Sequence, residues 1–385
     1  MSKGKYRGIL NKDLKLLALS DFIGAFGDGL YFYLWPLYIT ALEAGPVEVG
    51  IVYSIMYFAS AFAPLIGGFL ADKYDRKKVL LLGWLIWMPT PLIFSVAEHW
   101  SQLLVAAVLY GFWIGGPAAS AYIATSAKKE KITLTFTVIA AAWWMGYIFS
   151  PALGGYLFTI TGMRWVARLA FILYVLSASV ILLMSSQHAT TQPTPPSSPS
   201  SSFKTKKMII WSLFFATIMF VILMARPFIP TFLEEEYFFN EFQIGVFGSI
   251  TFLGTALLGV YLGRLGDRWS KAGAISVSVI LCCASLVTMI FFKEFFMLAL
   301  ASFLMGCSYT TPTLIDAIIG SIAPEASRAR WISIPQTASM LAAFLAPYLG
   351  GILYGALPYN PFIIAILITP ILSILALSKP LKEKT

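Results

Sequence analysis

Four ionisable side chains stand inside long apolar stretches of this sequence. They are Asp21 and Asp28 near the start, Arg226 past the middle and Asp316 further along the chain. An ionised group at the depth of a bilayer's hydrocarbon is costly, so such groups usually face a partner or an aqueous cavity. These residue types predict a site that binds protons, ions or a charged ligand.

Asp28 is the leading candidate of the four. At a helical rise of about 1.5 Å per residue it lies roughly 21 Å beyond Leu14, near the midplane of a crossing helix. A carboxylate in a low-dielectric cavity can take up a proton near neutral pH. A proton and a cation that compete for this carboxylate would be carried in opposite directions.

Two questions about this site stay open at the level of sequence. Arg226 would favour the ionised form of Asp28 in one state and release it in another, or the two would form a static pair that only stabilises the fold. Asp21 lies seven residues before Asp28 on the same helical face, and it is either part of the site or hydrated near the helix end.

The amino-acid composition indicates a protein embedded in a lipid bilayer. Hydrophobic residues make up 58% of the chain and charged residues 12%, whereas soluble proteins carry about 25% charged residues. The net charge of +9 comes from short clusters of Lys and Arg between apolar stretches, with no basic face for nucleic acid. The three cysteines have no metal-ligand spacing, so we predict neither a metal nor another cofactor.

Twelve apolar runs are long enough to cross about 30 Å of hydrocarbon as helices. The fold class is therefore predicted as an all-α polytopic membrane protein with twelve transmembrane helices. Below, the helix formed by each run carries that run's number. The runs are 14–41, 47–71, 78–97, 100–125, 133–160, 164–184, 208–232, 243–265, 273–292, 295–320, 331–356 and 359–378.

Loop composition predicts orientation and domain boundaries. Most of the 27 Lys and Arg residues fall in loops on one side, and cationic loops stay in the cytoplasm. We therefore expect a multi-pass protein of the cell membrane with both termini cytoplasmic. A Pro/Ser-rich linker, typical of an extended segment, separates six helices from six. The predicted units are residues 1–186, the cytoplasmic linker 187–207, and residues 208–385.

An internal duplication relates the two six-helix units. Three pairs of motifs recur at an offset of 195 or 196 residues, which predicts two pseudo-symmetric bundles of the same topology. The charged groups break this symmetry, because Asp28, Arg226 and Asp316 align with uncharged residues. Packing of the duplicated scaffold therefore does not require them. The motif pairs begin at Gly68 and Gly263, Gly111 and Gly306, and Pro151 and Pro347.

The segment Gly68-Phe-Leu-Ala-Asp72-Lys-Tyr-Asp75-Arg76-Lys resembles the loop signature of the major facilitator superfamily, with Asp75 at a usual glycine. The resemblance covers the whole chain. It implies two bundles around a central cavity lined mainly by helices 1, 4, 7 and 10, and alternating access by rocking of the halves. We expect a monomer.

The same resemblance places Asp72 opposite the start of helix 11 and Asp267 opposite the start of helix 5. An anion at a helix N-terminus gains about 0.3–1 kcal/mol. These contacts would form a latch that closes the cytoplasmic side. The alternative is a solvated carboxylate that only anchors topology. The predicted latch comprises Gly68, Asp72, Arg76, Gly263, Asp267 and Arg268.

Helix 5 contains Gly146-x3-Ser-Pro151-x2-Gly154-Gly155, which resembles a motif of the drug–proton antiporter branch. The alternative is a helix-packing role shared by any member. The corresponding motif of helix 11 is Pro347-x2-Gly350-Gly351. Ala107 stands where many proton-coupled relatives carry an arginine, so the usual coupling residue of helix 4 is absent.

These features favour a proton-coupled antiporter that exports small lipophilic or amphipathic compounds, of the multidrug efflux type. No phosphate loop or other enzyme signature is present, so we expect a transporter rather than an enzyme. The alternatives are a sugar or metabolite permease of the same fold and a non-transporting membrane receptor or assembly factor. Aromatic residues are expected either to stack on a planar ligand or to anchor at the interface: Trp35, Trp113, Trp143, Trp144 and Tyr147.

Overall fold

A computed structural model describes residues 10–188, 202–322 and 337–377, and within these ranges it describes the backbone alone at 133, 202–208 and 316–322. The described chain is helical throughout. Ten of its helices are long and apolar enough to cross a membrane. They are Pro46–Lys73, Arg76–Val96, Trp100–Ser126, Leu134–Thr161, Met163–Leu182, Ile209–Tyr237, Glu241–Arg268, Lys271–Phe291, Phe295–Ile315 and Thr337–Ala356.

Apolar runs 1 and 12 form shorter helical pieces. Run 12 forms Asn360–Ala376. Run 1 forms Lys12–Gly29, a 3-10 turn over Phe32–Leu34, and a second helix over Trp35–Ala41. Pro36 has no N–H for a hydrogen bond to the preceding turn, and Gly27 and Gly29 flank Asp28. The backbone of helix 1 is therefore interrupted next to its central carboxylate.

Helix 7 has a matching interruption. Its helical pieces are Ser202–Ala225 and Ile229–Tyr237, and a 3-10 turn over Arg226–Phe228 joins them. Pro227 and Pro230 remove backbone donors at this point. The turns of helices 1 and 7 lie 194 residues apart in sequence, close to the offset of the repeated motifs.

Helices 4 and 10 are divided at the glycines of the repeated motif. The pieces of helix 4 are Leu103–Gly111 and Gly115–Ser126, and those of helix 10 are Phe295–Met305 and Cys307–Ile322. A Cβ on Gly111 would lie 2.1 Å from the carbonyl oxygen of Met56. Irregular backbone at membrane depth is tolerated only inside protein or beside a water-filled cavity. Helices 1, 4, 7 and 10 each contain such an interrupted segment, so we expect these four helices to lie in the interior of the protein.

Helix 3 is also divided, into Arg76–Trp87 and Pro89–Val96. The remaining described helices are Pro46–Lys73, Ile132–Thr161, Met163–Leu182, Glu241–Arg268, Lys271–Phe291 and Leu345–Ala356. The predicted start of helix 11 at Trp331 lies outside the described residues.

Helices 5 and 8 pack closely together, and so do helices 2 and 11, which joins the two units predicted from the sequence. A Cβ on Gly245 would lie 2.2 Å from the carbonyl oxygen of Pro151. A Cβ on Gly50 would lie 2.3 Å from the carbonyl oxygen of Pro347. These glycines allow the backbones of the two units to touch, as small residues do at helix interfaces in membranes.

The loops after helices 2, 4 and 8 are rich in Lys and Arg and lie at one end of the molecule, which we call the basic end. At this end Gly68 and Gly263 have open space around them, since a Cβ on either would meet no atom within 4 Å. Asp72 and Asp267 are exposed there. Gly245 and Gly50 lie near the starts of helices 8 and 2, whereas the basic loops follow the ends of these helices. The backbone contacts of these glycines with Pro151 and Pro347 therefore lie away from the basic end.

Candidate substrate and coupling site

Asp28 is fully buried at the interruption of helix 1. Its Oδ2 accepts hydrogen bonds from the hydroxyls of Tyr110, at 2.8 Å, and Tyr147. Its Oδ1 accepts a hydrogen bond of 2.7 Å from the hydroxyl of Tyr174. The carboxylate thus has three phenol donors, from helices 4, 5 and 6. Such donors stabilise an ionised carboxylate that water cannot reach.

The helix 5 motif brings Tyr147 to Asp28. Gly146 and Gly154 lie against helix 1, where a Cβ on Gly154 would be 1.8 Å from the carbonyl oxygen of Leu30. A Cβ on Gly146 would be 2.7 Å from the amide nitrogen of Phe26. Because these glycines let helix 5 approach helix 1 so closely, the intervening Tyr147 reaches the carboxylate. Gly155 faces the other unit instead, beside the carbonyl oxygen of Glu241.

Helix 11 uses its motif in the same way. A Cβ on Gly350 would lie 2.1 Å from the carbonyl oxygen of Met224 in helix 7. A Cβ on Gly351 would lie 2.4 Å from the carbonyl oxygen of Pro46 in helix 2. Both motifs therefore hold a central interrupted helix on one side and the neighbouring unit on the other.

A shell of aromatic rings surrounds the tyrosines of Asp28. The ring of Trp87 stacks on Tyr174 with centroids 4.9 Å apart and an interplanar angle of 12°. Trp113 and Trp143 lie 5.1 Å and 6.2 Å from Trp87. The buried indole nitrogen of Trp87 has no hydrogen-bond partner in the described part of the chain. Trp113 and Trp143 thus belong to this inner shell.

Trp35 and Phe32 extend the aromatic shell along helix 1. Phe32 stacks on Tyr110 at 5.4 Å, and Trp35 lies 4.8 Å from the same ring. Trp35 is fully buried. Trp144, one residue after Trp143, packs 6.4 Å from Phe252 of the second unit.

Arg226 lies at the interruption of helix 7 with partners of its own. Its Nη2 donates a hydrogen bond of 2.9 Å to the hydroxyl of Tyr57 in helix 2. Its guanidinium carbon lies 4.1 Å from the ring centroid of Tyr309 in helix 10. Asp28 and Arg226 therefore form no pair with each other in this conformation, since each is held by a separate set of tyrosines.

The other predicted site residues have fewer described contacts. Asp21 is half-buried in helix 1 and has no hydrogen-bond or ion-pair partner within the described ranges. Asp316 lies in the helix Cys307–Ile322, but its side chain is outside the described part. The described side chains contain no group of three His, Cys, Asp or Glu placed to hold a metal ion.

The predicted latch residues are not in contact with helix N-termini in the described structure. Asp267 forms no hydrogen bond or ion pair within it, and the start of helix 11 opposite Asp72 lies outside it. Arg268 is exposed at the end of helix 8. Arg76 instead binds within the first unit, where its Nη1 donates to Oγ1 of Thr125 at 2.6 Å and to Oε1 of Gln187 at 2.7 Å.

Sequence reasoning missed the tyrosines that hold both charges: Tyr110 and Tyr174 at Asp28, and Tyr57 and Tyr309 at Arg226. One available signal was the comparison of the two repeats. At the offset of 195, Tyr110 aligns with Met305, Tyr57 with Phe252 and Tyr309 with Ile114. Like the charged residues that they contact, these tyrosines align with residues of a different type in the other repeat.

An all-helical membrane protein with interrupted helices around buried charged residues has the organisation of a secondary transporter. The sequence matches the profile of the Major Facilitator Superfamily over residues 17–237 and 212–385. The chain belongs to this superfamily. It is accordingly a membrane transporter and not an enzyme.

Individual relatives and solved structures agree with this assignment. The chain is 26% identical over 363 residues to the multi-drug resistance efflux pump PmrA homolog of Lactococcus lactis subsp. lactis (strain IL1403), covering 89% of each chain. It is 27% identical over 290 residues to the multidrug resistance protein MdtG of Salmonella typhimurium, covering 72% of this chain and 71% of MdtG. The nucleoside transporter NupG has a similar fold, with a TM-score of 0.74, 16% identity and coverage of 97% and 100%.

Proposed function

We propose that this protein is a proton-coupled antiporter that exports small lipophilic or amphipathic compounds by alternating access. The observation that carries the proposal is the buried Asp28 carboxylate, held by three tyrosine hydroxyls inside an aromatic shell. A carboxylate can exchange a proton for a cationic ligand. Tryptophan and tyrosine faces attract cations and stack on planar ligands, so the same place suits a lipophilic cation.

The chemistry at Asp28 follows from its donors. The ionised carboxylate accepts all three phenol hydrogen bonds. Once protonated, it becomes a donor itself, and at least one phenol must turn to accept from it or find another partner. Protonation therefore changes the hydrogen bonding of helices 4, 5 and 6 together. A cation at the carboxylate keeps the ionised form and excludes the proton.

The paired contacts support two pseudo-symmetric bundles, residues 1–186 and 208–385, each with six of twelve transmembrane helices. Ser54 and Ser249 lie 195 residues apart, and each accepts a hydrogen bond from the residue after the motif proline of helix 11 or helix 5. We place the basic end and both termini in the cytoplasm of a cell, with 187–207 as the linker. The backbone contacts between the two units at Pro151 and at Pro347 then lie towards the outer side of the membrane.

The direction of transport rests on the names of the relatives. The two relatives described above are named for multidrug efflux or resistance, which favours export. NupG is named as a nucleoside transporter, and at 16% identity it supports the fold alone. A sugar or metabolite permease of the same fold is the second candidate, favoured by the absence of an arginine at Ala107 in helix 4.

Purified protein in liposomes tests the proposal directly. A lipophilic cationic dye is loaded, and its flux is followed after a pH gradient is imposed in either direction. We expect the wild type to move the dye against the proton gradient and Asp28→Asn to lose the dependence on that gradient. Glu98→Gln, an exposed carboxylate at a loop, is the matched control and keeps wild-type flux.

The alternative results of that experiment are equally specific. If Asp28→Asn keeps the same dye flux under the pH gradient as the wild type, Asp28 is rejected as the coupling group. Dye movement with the proton gradient would favour uptake over antiport. Absence of dye flux under either gradient, in stably folded protein, would favour a sugar or metabolite permease, or a receptor or assembly factor that retains the fold.

A further inference from the structure

Arg226 is a positive charge with no carboxylate partner among the described side chains. It is half-buried at the interruption of helix 7, at the depth where a charge is costly. Among the described side chains, no Asp or Glu lies within ion-pair distance of it; the one ion pair found there joins His188 and Asp75. Its partners are the hydroxyl of Tyr57 and the ring face of Tyr309, and neither carries a negative charge.

The space beside Arg226 is rich in donors. A small cavity of about 20 Å³, room for about one water molecule, adjoins the guanidinium. Four tyrosines line it together with Phe32 and three prolines, and no lining residue is acidic. A guanidinium has five N–H donors in a planar fork, and one of them is hydrogen-bonded to a described residue. The tyrosines are Tyr33, Tyr53, Tyr57 and Tyr309.

The two partners of Arg226 belong to different halves of the molecule. Tyr309 lies in helix 10 of the same unit as Arg226, whereas Tyr57 lies in helix 2 of the other unit. Separation of the units at this end, as alternating access requires, would leave Arg226 on the ring of Tyr309 and remove the hydroxyl of Tyr57. An edge of the guanidinium then becomes free while its face stays covered.

We propose that Arg226 binds the carboxylate of an amphipathic organic anion, which takes the place of Tyr57 when the end opposite the basic end opens. The planar fork of arginine matches a carboxylate with two parallel hydrogen bonds. The aromatic lining suits a flat apolar body attached to that carboxylate. The proposal rests on the proposed function, since it names a substrate class for the chamber of the same transporter.

Binding of matched naphthyl probes tests this site. Tritiated 1-naphthoate and 1-naphthamide, which share a ring system and differ in charge, are titrated into purified protein in phosphatidylcholine nanodiscs by scintillation proximity. We expect the wild type to bind 1-naphthoate at least about tenfold more tightly than 1-naphthamide, as for a charge-assisted hydrogen bond. Arg226→Met removes this preference, and Arg226→Lys keeps part of it because the charge remains without the planar fork.

Tyr57→Phe provides the second variant. It frees the guanidinium edge that Tyr57 occupies, so we expect 1-naphthoate to bind more tightly than to the wild type while 1-naphthamide binding is unchanged. Glu98→Gln is the control and keeps the wild-type preference. Equal affinities for the two probes in both the wild type and Tyr57→Phe would overturn the proposal, as would a full preference in stably folded Arg226→Met.

This experiment fails separately from the test of the proposed function. If the wild type prefers 1-naphthoate but shows no pH-driven dye flux, the anion site stands and proton-coupled efflux is rejected. If dye flux depends on the pH gradient but the two probes bind equally, proton-coupled efflux stands and the anion site is rejected.

Discussion

The peptide N–H of Tyr348 donates a hydrogen bond of 3.1 Å to Oγ of Ser54 across the interface of the two units. The peptide N–H of Ala152 donates a hydrogen bond of 3.0 Å to Oγ of Ser249 across the matching interface. Each donor directly follows the motif proline of its helix. The two serines thus supply hydrogen-bond acceptors to backbone groups beside those prolines.

Removal of these serine hydroxyls is expected to loosen the packed end. The double variant Ser54→Ala, Ser249→Ala removes one hydrogen bond from each of two partly buried N–H groups, at a cost of about 0.5–1.5 kcal/mol each. The change is measured as faster maleimide labelling of a cysteine introduced at Phe32, in a background without Cys282, Cys283 and Cys307.

Ser60→Ala is the control for this labelling experiment. The hydroxyl of Ser60 donates to the carbonyl oxygen of Met56 within helix 2, so its loss leaves the interface intact. Labelling at the wild-type rate in the double variant would show that the serines do not hold this end closed.

Loss of one phenol donor at Asp28 is expected to reduce transport. Tyr174→Phe removes a hydrogen bond from the buried carboxylate and destabilises its ionised form by about 1.5–3 kcal/mol. We expect pH-driven dye flux in liposomes to fall about tenfold or more. Tyr156→Phe, at a tyrosine that is 50% exposed, keeps wild-type flux. Equal flux in the two variants would contradict a role for Tyr174 at the site.

Gly154→Ala is expected to destabilise the first unit. The added Cβ would lie 1.8 Å from the carbonyl oxygen of Leu30, so helix 5 must move away from helix 1. Overpacking of this kind costs about 1–3 kcal/mol, and a lower melting temperature in detergent measures it. Gly263→Ala, which adds a Cβ to open space, serves as the control and melts at or above the wild-type temperature. Identical melting of the two variants would be the contrary result.

The latch prediction concerns Asp72 and Asp267. Either residue mutated to asparagine loses its attraction to a helix N-terminus, about 0.3–2 kcal/mol depending on burial. We expect dye flux to fall by about 2- to 30-fold at most, while the amount of protein inserted in the membrane stays constant. Undiminished flux in the double variant would support a role in topology alone.

Sequence reasoning went furthest where a single helix carries the signal. Membership of the superfamily, predicted from the loop around Asp72, is confirmed, and so is an all-helical membrane fold. The glycine motif of helix 5 predicts either an antiporter motif or close helix packing, and Gly146 and Gly154 do pack against helix 1. The grouping of Asp28 with Arg226, Asp21 and Asp316 stays a prediction.

The partners of the charges could not be predicted in the same way. Eighteen tyrosines are present, and which of them meets Asp28 depends on the rotation and order of four helices. Tyr174 is 146 residues from Asp28 in sequence, so no local spacing records their contact. The interruption at Arg226–Phe228 was equally hidden, because proline in a membrane helix is common and need not break it.

Asp28 and its three phenols all come from helices 1, 4, 5 and 6, within a single six-helix unit. Rocking of one unit against the other would therefore leave every hydrogen bond of this carboxylate in place. In the proposed transport cycle the carboxylate keeps its hydrogen bonds, and what changes is the aqueous compartment that can reach it. Substitutions confined to the first half of the chain would then be enough to change the proton affinity of this site.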